Sequence, residues 1–334
     1  MSGKQPTIYD VAKAAGVSIS TVSKVMNGTG SIGEKTKKKV EATMQTLDYQ
    51  PIASSAVKKR IQTIGLLLPS IADPFSAEIA RKIEDYGRNQ GFSLIICSTD
   101  NDSKKEKAYI DMLKKKYVDG IIIATGLKSK AAQKELRDQQ IPIILLSREV
   151  PSLALNSVLV NDFLGAYEAT SHLISLGHRK IAMVTEDVYF SNIQSRLDGY
   201  KQALEDNGIL YAEERVSTGN KSFNDAAKAS SDLLEKDKDL TAIFASTEPL
   251  AIGAMQGVRQ RGLQIPEDIS IVGFDNSILA QMSYPPLTTI AQPIEEMAKK
   301  VIELFVASLE NRDEVTQRIV LAPELTVRSS ARKI

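Results

Sequence analysis

From residue 61 onward, short apolar runs (64–68, 94–97, 120–124, 141–146, 181–184, 242–245 and 269–272) alternate with amphipathic segments of helical length (77–89, 167–176, 197–207 and 226–234). Runs that are apolar at every position fit strands buried on both faces, and strand–helix–strand alternation builds a parallel sheet with helices on each side. The alternation is too long for one sheet. Two doubly wound sheets of five or six strands each, side by side with a cleft between them, accommodate it, with the chain crossing from one to the other near 160 and 290. Ligands of open α/β sheets sit beyond the carboxyl ends of the strands.

The first 60 residues have a different texture, with helical spacing and no strand pattern. Thr7 precedes Ile8, Val11, Ala12 and Ala15, with Asp10 three residues on, so a capped helix begins there and Gly16 ends it. Ser18 is placed to cap a second helix through Asn27, turning Val22, Val25 and Met26 inward and Ile19, Ser20, Ser23 and Lys24 outward. Ser31 with Glu34 repeats the capping pattern before Val40, Met44 and Leu47. Charge follows the same division. Residues 1–60 hold ten Lys/Arg against four Asp/Glu, a net of +6, so the remainder of a chain with net charge +1 carries −5. A basic small module on a mildly acidic body is the footprint of a protein that meets a polyanion at one end.

Composition excludes several classes. Apolar residues at 43% and charged residues at 25% describe an ordinary globular chain of 334 residues, enough for two or three compact units. No apolar run approaches the roughly 18–20 residues of a membrane span, and residues 1–7 lack a secretory apolar core, so a cytoplasmic protein without membrane contact is expected. Cys97 is the single cysteine and reads as a buried thiol in a strand. His172 and His178 stand six apart without a carboxylate or thiol at ligand spacing; solvent-facing or capping roles are expected, and no metal. The stretch Gly28 to Glu34 has the glycine spacing of a phosphate loop but lacks its Lys-Ser/Thr, no G-x-G-x-x-G follows the run at 64–68, and no G-x-S-x-G occurs. Neither a cofactor nor an enzyme is expected.

The segment Thr7-Ile-Tyr-Asp-Val-Ala-Lys-Ala-Ala-Gly-Val-Ser-Ile-Ser-Thr-Val-Ser-Lys-Val-Met-Asn27 reads as a helix-turn-helix: Gly16 permits the turn, Ala12 and Ala15 permit close helix approach, and Ser18 starts a helix whose N-terminal residues can meet base edges. It closely resembles the opening of the LacI/GalR family of bacterial transcriptional regulators, and the resemblance continues along the chain in Pro69-x-x-x-Asp-Pro-Phe75, Asp162-x-x-Gly165, His172-Leu, Gly177-His-Arg-Lys-Ile181, Arg196-x-x-Gly-Tyr200 and Val272-Gly-Phe-Asp275. The fold it implies is a small all-α helix-turn-helix headpiece (1–50), a hinge (51–61) and an α/β periplasmic-binding-protein-like sensor of two doubly wound subdomains (62–334). The N-subdomain covers about 62–160 and 292–322, and the C-subdomain about 161–291 and 323–330.

The same resemblance implies a sequence-specific, allosteric repressor of carbohydrate-related genes, bound as a homodimer to a near-palindromic double-stranded DNA operator. Ile19, Ser20 and Lys24 would read bases. Thr7, Tyr9, Ser18, Thr21, Ser23 and Asn27 would cap the reading helix or contact phosphates. Val57 and Lys58 stand where family members drive a leucine wedge into the minor groove; Ile52 replaces the usual asparagine after proline, and the connector is about two residues short. A small effector, a sugar or a sugar acid or phosphate, would lie in the cleft against Asp73, Phe75, Arg148, Arg196, Glu248 and Asp275, with Arg148 and Arg196 together suiting an acidic sugar. Glu248, in Thr247-Glu-Pro-Leu-Ala-Ile-Gly253, departs from the usual N/T-D-x-M-A-x-G. A phosphocarrier protein corepressor, as in the catabolite-control members, is compatible with the resemblance. The competing reading is a cytoplasmic sugar-binding protein without operator specificity.

Overall fold

The computed structural model describes residues 6–27, 30, 32–47, 49, 62–137, 141–150, 152–310 and 315–334. The chain divides into two compact units, Met1–Ile61 and Gln62–Ile334. The hinge at 51–61, with Val57 and Lys58, lies outside the described residues.

The first unit holds three helices, α1 (Ile8–Ala15), α2 (Ile19–Asn27) and α3 (Glu34–Thr46). Thr7 starts α1 by donating its backbone N–H and its hydroxyl to the Asp10 carboxylate, at 2.8 and 2.6 Å. Gly16 ends the helix at φ 62°, ψ 38°, a left-handed conformation that a Cβ would penalise. The chain then turns within two residues, and the Ser18 hydroxyl accepts from Thr21 N–H at 3.1 Å to begin α2. Val11, Ala12, Ala15, Val22 and Val40 form the buried centre, with Val25, Met26, Met44 and Leu47 packed against it. Gly33 occupies the N-cap of α3. The cap expected at Ser31 falls on a residue outside the description.

The second unit begins with β1 (Gln62–Leu68), α4 (Pro74–Asn89), β2 (Phe92–Ser98), α5 (Ser103–Lys115), β3 (Gly120–Ile123), α6 (Lys130–Arg137), β4 (Ile143–Leu146) and β5 (Asn156–Val160). It continues with α7 (Asp162–Ser175), β6 (Ile181–Val184), α8 (Ser191–Asp206), β7 (Val216–Ser217), α9 (Phe223–Lys236), β8 (Ala242–Ala245), α10 (Glu248–Gln260), β9 (Ser270–Asp275), α11 (Ile278–Met282) and β10 (Thr288–Ala291). The chain then returns through α12 (Ile294–Glu310), β11 (Arg318–Leu321) and β12 (Glu324–Thr326). Two six-stranded sheets result, ordered β11-β5-β4-β3-β1-β2 and β12-β10-β9-β8-β6-β7. Pairing is parallel except for β12 against β10.

Each sheet is covered on both faces. In the first, Ile64, Leu66, Ile122 and Ile144 point towards α4 and α12, while Leu67, Ile121, Ile123 and Leu145 point towards α5 and α6. In the second, Ile243 and Ile271 face α9 and α10, and Met183, Phe244, Val272 and Phe274 face α7 and α8. Each fully buried side chain of this size contributes roughly 1.5–3 kcal/mol. The apolar runs seen in the sequence are β1, β2, β3, β4, β6, β8 and β9, all interior to their sheets except β2. The strands without such a run are β5, β7, β10, β11 and β12, which are short, polar-rich or at sheet edges. Thr288 and Thr289 of β10 are fully buried, and their hydroxyls disguise a core strand as a polar segment.

The covering helices approach the limit of backbone contact. A Cβ on Gly257 of α10 would overlap the carbonyl of Ala227 in α9, lying 3.1 Å from its carbon, and one on Gly199 of α8 would fall 3.0 Å from the Tyr167 nitrogen of α7. Overpacking of this kind costs about 1–3 kcal/mol. Gly257→Ala is therefore expected to lower the unfolding free energy of the second unit by that amount, read as a lower urea midpoint at unchanged slope; an unchanged midpoint, with an unchanged slope, would show that α9 and α10 move apart freely.

Candidate functional sites

In the headpiece, α2 presents a solvent face. Ile19 is 41% exposed, an unusual place for isoleucine, and Ser20 and Lys24 are exposed beside it, whereas Val22 on the opposite face is fully buried. The Ser18 hydroxyl lies 2.8 Å from those of Ser20 and Thr21, so three hydroxyls gather at the helix N-terminus, where unpaired N–H groups and the helix dipole favour an anion. Tyr9 on α1 is 68% exposed; Thr7 is exposed with its side chain held by Asp10; Ser23 is half-buried. Asn27 ends α2, its side chain outside the described residues. Ile19, Ser20, Ser23 and Lys24 thus share one helix face, which can offer an apolar contact, hydroxyls and a cation together.

The second site lies where the carboxyl ends of the two sheets meet. Arg196, buried on α8, is its hub. Its Nε donates to Asp162 Oδ1 at 2.8 Å, its Nη1 donates to the Ser246 carbonyl after β8 and stands 3.7 Å from Asp275 Oδ1, and its guanidinium lies 3.5 Å above the Phe274 ring. Asp275 ends β9 at φ 111°, a conformation that non-glycine residues hold only when surrounding bonds impose it. Those bonds are present: Gln292 Nε2 donates to its Oδ1 at 2.7 Å, and Glu248 N–H donates to its Oδ2 at 3.1 Å. Burial pushes the Asp275 carboxyl well above the usual carboxylate range, although Arg196 pulls the other way, and burial likewise raises Asp162.

Glu248, fully buried, accepts from the Ser277 backbone N–H and hydroxyl through Oε2 and leaves Oε1 without a partner. Asp73 caps α4, accepting from Ser76 N–H at 2.8 Å, and its charge reaches both Asp275 and Glu186. Phe75 is only partly exposed and packs on the core of the first sheet, so it supports the wall from behind.

Arg148 follows β4. Its Nη1 donates to Asn101 Oδ1 at 3.0 Å, its Nη2 stands 4.0 Å from Glu186 after β6, and its guanidinium lies 4.1 Å from the Phe190 ring centre. Burial pulls its pKa down while Glu186 raises it. Arg148 belongs to the first sheet's half, and Glu186 and Phe190 to the second's, so the two sets of strand ends face each other. Around them, Thr125 Oγ1, Ser147 Oγ, Thr185 Oγ1 and Asn192 Oδ1 are buried without a hydrogen-bond partner. Buried polar atoms are nearly always paired, and this concentration of exceptions at strand ends marks a place where a polar ligand would complete the bonding.

Of the residues expected at the cleft, Asp73, Arg148, Arg196 and Asp275 come together here; Asp162 was legible only as a landmark in the sequence, which did not point to Asn101, Glu186, Phe190 or Asn192. Asn101 and Glu186 carry one local signal, a position in the first residues after a strand, whereas Phe190 stands at the N-cap of α8 and Asn192 in its first turn. The histidine expectation needs correction: His178 is buried, not solvent-facing, with Nδ1 2.9 Å from Thr241 Oγ1 and Nε2 3.1 Å from the Arg332 carbonyl, because it ties the C-terminal segment to β8. His172 is half-buried beside a shallow depression between α7 and β12.

Comparison with known proteins covers both units of the chain. Residues 7–51 match the family described as bacterial regulatory proteins, lacI family, and residues 170–331 match the periplasmic binding protein-like domain. The HTH-type transcriptional regulator DegA of Bacillus subtilis (strain 168) is 44% identical over 329 residues, spanning 97% of this chain and 97% of that one. The solved structure of a LacI family transcriptional regulator from Enterococcus faecium with bound ribose is 33% identical with a TM-score of 0.75, covering 82% of this chain and 100% of that one. That of the lac repressor dimer bound to operator and the anti-inducer ONPF is 27% identical with a TM-score of 0.78, covering 98% and 100%. Among the described residues no helix is long and apolar enough to cross a membrane. The chain therefore belongs to the lacI family of bacterial regulatory proteins and is a DNA-binding transcriptional regulator, not an enzyme.

Proposed function

We propose that the protein is a cytoplasmic repressor that binds a near-palindromic operator as a homodimer and responds to a neutral sugar in the sensor cleft. The observation that carries the DNA half is the solvent face of α2, where Ile19, Ser20 and Lys24 stand free of the headpiece core. Isoleucine meets a thymine methyl, serine bonds several base edges, and lysine reaches guanine or a phosphate.

The ring of unpartnered Thr125, Ser147, Thr185 and Asn192 oxygens supports a hydroxyl-rich effector. Charge argues against the acidic alternatives. Both guanidiniums already have carboxyl neighbours, Arg148 beside Glu186 and Arg196 beside Asp162 and Asp275, so a phosphate would find the cations it needs engaged. A sugar hydroxyl, by contrast, donates to a carboxylate and accepts from a guanidinium.

The dimer reading rests on α11 and the turn after it, where Ile278, Met282 and Tyr284 are 53%, 74% and 85% exposed. Apolar exposure concentrated in seven residues fits a surface that a second copy covers.

Three measurements test these readings. Selection from a random duplex pool is expected to yield a palindrome bound with a log–log salt slope near −0.9 per neutralised phosphate, about one unit shallower in Lys24→Ala if that lysine meets phosphate. No enriched duplex would favour the sugar-binding alternative. Asp275→Asn is expected to keep operator affinity while losing the response to sugars. It also flattens the pH dependence of stability: a carboxyl raised by folding contributes fully below its unfolded pKa of about 3.9 and loses that contribution as pH climbs through its folded pKa. As pH rises above the unfolded value the wild type should therefore weaken relative to the variant, by at most about 1.4 kcal/mol per pH unit, until the folded-state carboxyl has ionised. Met282→Glu with Tyr284→Glu should shift sedimentation from dimer to monomer; an unaltered dimer would place the interface elsewhere.

A further inference from the structure

The two halves of the sensor touch through a small set of loops. From the first half come the turn after β3, with Gly126 and Lys128, and the turn after β4, with Arg148 and Glu149. From the second come the segment between β6 and α8, with Asp187, Tyr189 and Phe190, and Ser191 at the start of α8. Phe190 is 6% exposed although it sits in a loop, because it is buried by the other half. Its ring rests on Gly126: a Cβ built there would overlap it, lying 2.7 Å from Cδ1. Two cations close over the ring, Arg148 at 4.1 Å and Lys128 at 4.6 Å from its centre, and Lys128 also pairs with Asp187 at 2.9 Å. Beside it, Glu149 N–H donates to Ser191 Oγ at 3.0 Å.

The seat is held rigidly. Leu127, next to Gly126, has φ 43° with its side chain fully buried, a conformation leucine adopts only under constraint. Its N–H donates to the buried Glu106 carboxylate at 3.2 Å, and its carbonyl accepts from Gln133 Nε2 at 2.6 Å. A buried carboxylate spent on one loop N–H is otherwise hard to account for in an apolar layer. It makes sense as the support that fixes where residue 126 stands.

We propose that Phe190 is the closing wedge of the sensor and Gly126 its seat, so that the absence of a side chain at position 126 sets how far the two halves can shut. This inference rests on reading the cleft as the effector site and adds the contact that governs its closing. The ring bridges the halves, while Arg196, Asp162 and Asp275 lie on the second half alone, so the wedge contact is separate from the Arg196 cluster. Lys128 and Arg148 pull the ring inward, and a methyl at 126 holds it off without disturbing either core. Gly126 does not require a positive φ, so alanine is tolerated by its backbone.

The test is an intramolecular distance that needs no effector. Cys97 is 2% exposed, so paired spin labels report only on cysteines placed at exposed Lys134 of α6 and Glu205 of α8, one in each half. In the otherwise unaltered full chain the distance distribution is expected to contain a short, closed component. Gly126→Ala should remove it and shift the distribution to longer distances, and Gly126→Ala with Phe190→Ala should restore it, since a smaller wedge fits the narrowed seat. A distribution unchanged by Gly126→Ala, or one without a short component in the unaltered chain, overturns the proposal. Sugar binding by the unaltered chain, measured in parallel by calorimetry with D-ribose and D-glucose, tests the effector reading separately and does not enter the distance result.

Discussion

The sensor's site depends on one buried guanidinium. Arg196 joins the first turn of α7 through Asp162, the end of β8 through the Ser246 carbonyl, and the end of β9 through Asp275, while its flat face covers Phe274. A charge removed from water is tolerated only when such partners replace its hydration, and losing one partner of a buried pair is strongly destabilising. The same bonds that make Arg196 bearable in the interior fix the direction of both carboxylates. Asp275 then holds its φ of 111° because its two oxygens are claimed by Gln292 and Glu248. Two strand ends and two helices are thereby set to one another before any ligand arrives, which is what a preorganised binding site requires.

How much of this was legible in the sequence follows from how local each signal is. The headpiece was readable almost residue by residue, because capping, a left-handed glycine and a three-four apolar spacing all act within a few positions; capping and spacing mark both α1 and α2, and the glycine ends α1. Seven strands, β1, β2, β3, β4, β6, β8 and β9, were readable as apolar runs. Strands β10 and β12 were not, since Thr288 and Thr289 bury hydroxyls and β12 spans only Glu324–Thr326. At the cleft, Arg196 and Asp275 were reached through motifs. The cap that Asp73 makes on Ser76 is local, so its position was legible too. Phe190 was not, because what gives it meaning is a glycine more than sixty positions earlier, and an aromatic residue in a loop carries no spacing that points to it.

The departures from the family pattern resolve unevenly. Glu248, one methylene longer than the usual aspartate, turns away from solvent to accept from Ser277 and uses its own backbone N–H to hold Asp275. It acts on the ligand wall through Asp275, so the substitution alters the support more than the recognition surface. Arg148 is better understood as a cross-cleft residue, shared among Asn101, Glu186 and Phe190, than as a free cation awaiting an anion.

Magnitudes decide what the wedge can and cannot do. A cation over an aromatic face contributes about 0.5–1 kcal/mol when exposed and about 2 kcal/mol when desolvated, and an exposed ion pair such as Lys128–Asp187 adds about 1 kcal/mol at most. Swinging a two-state sensor from one part in a hundred to its opposite needs about 5.5 kcal/mol of differential affinity. Phe190 and its two cations therefore bias the closing of the cleft without locking it. The remainder has to come from a ligand that bonds to both halves at once, and the unpartnered atoms at Thr125 and Ser147 on one half and Thr185 and Asn192 on the other are where such bonds would form. A ligand contacting only the Arg196 side binds open and closed forms alike and transmits nothing, however tightly it is held.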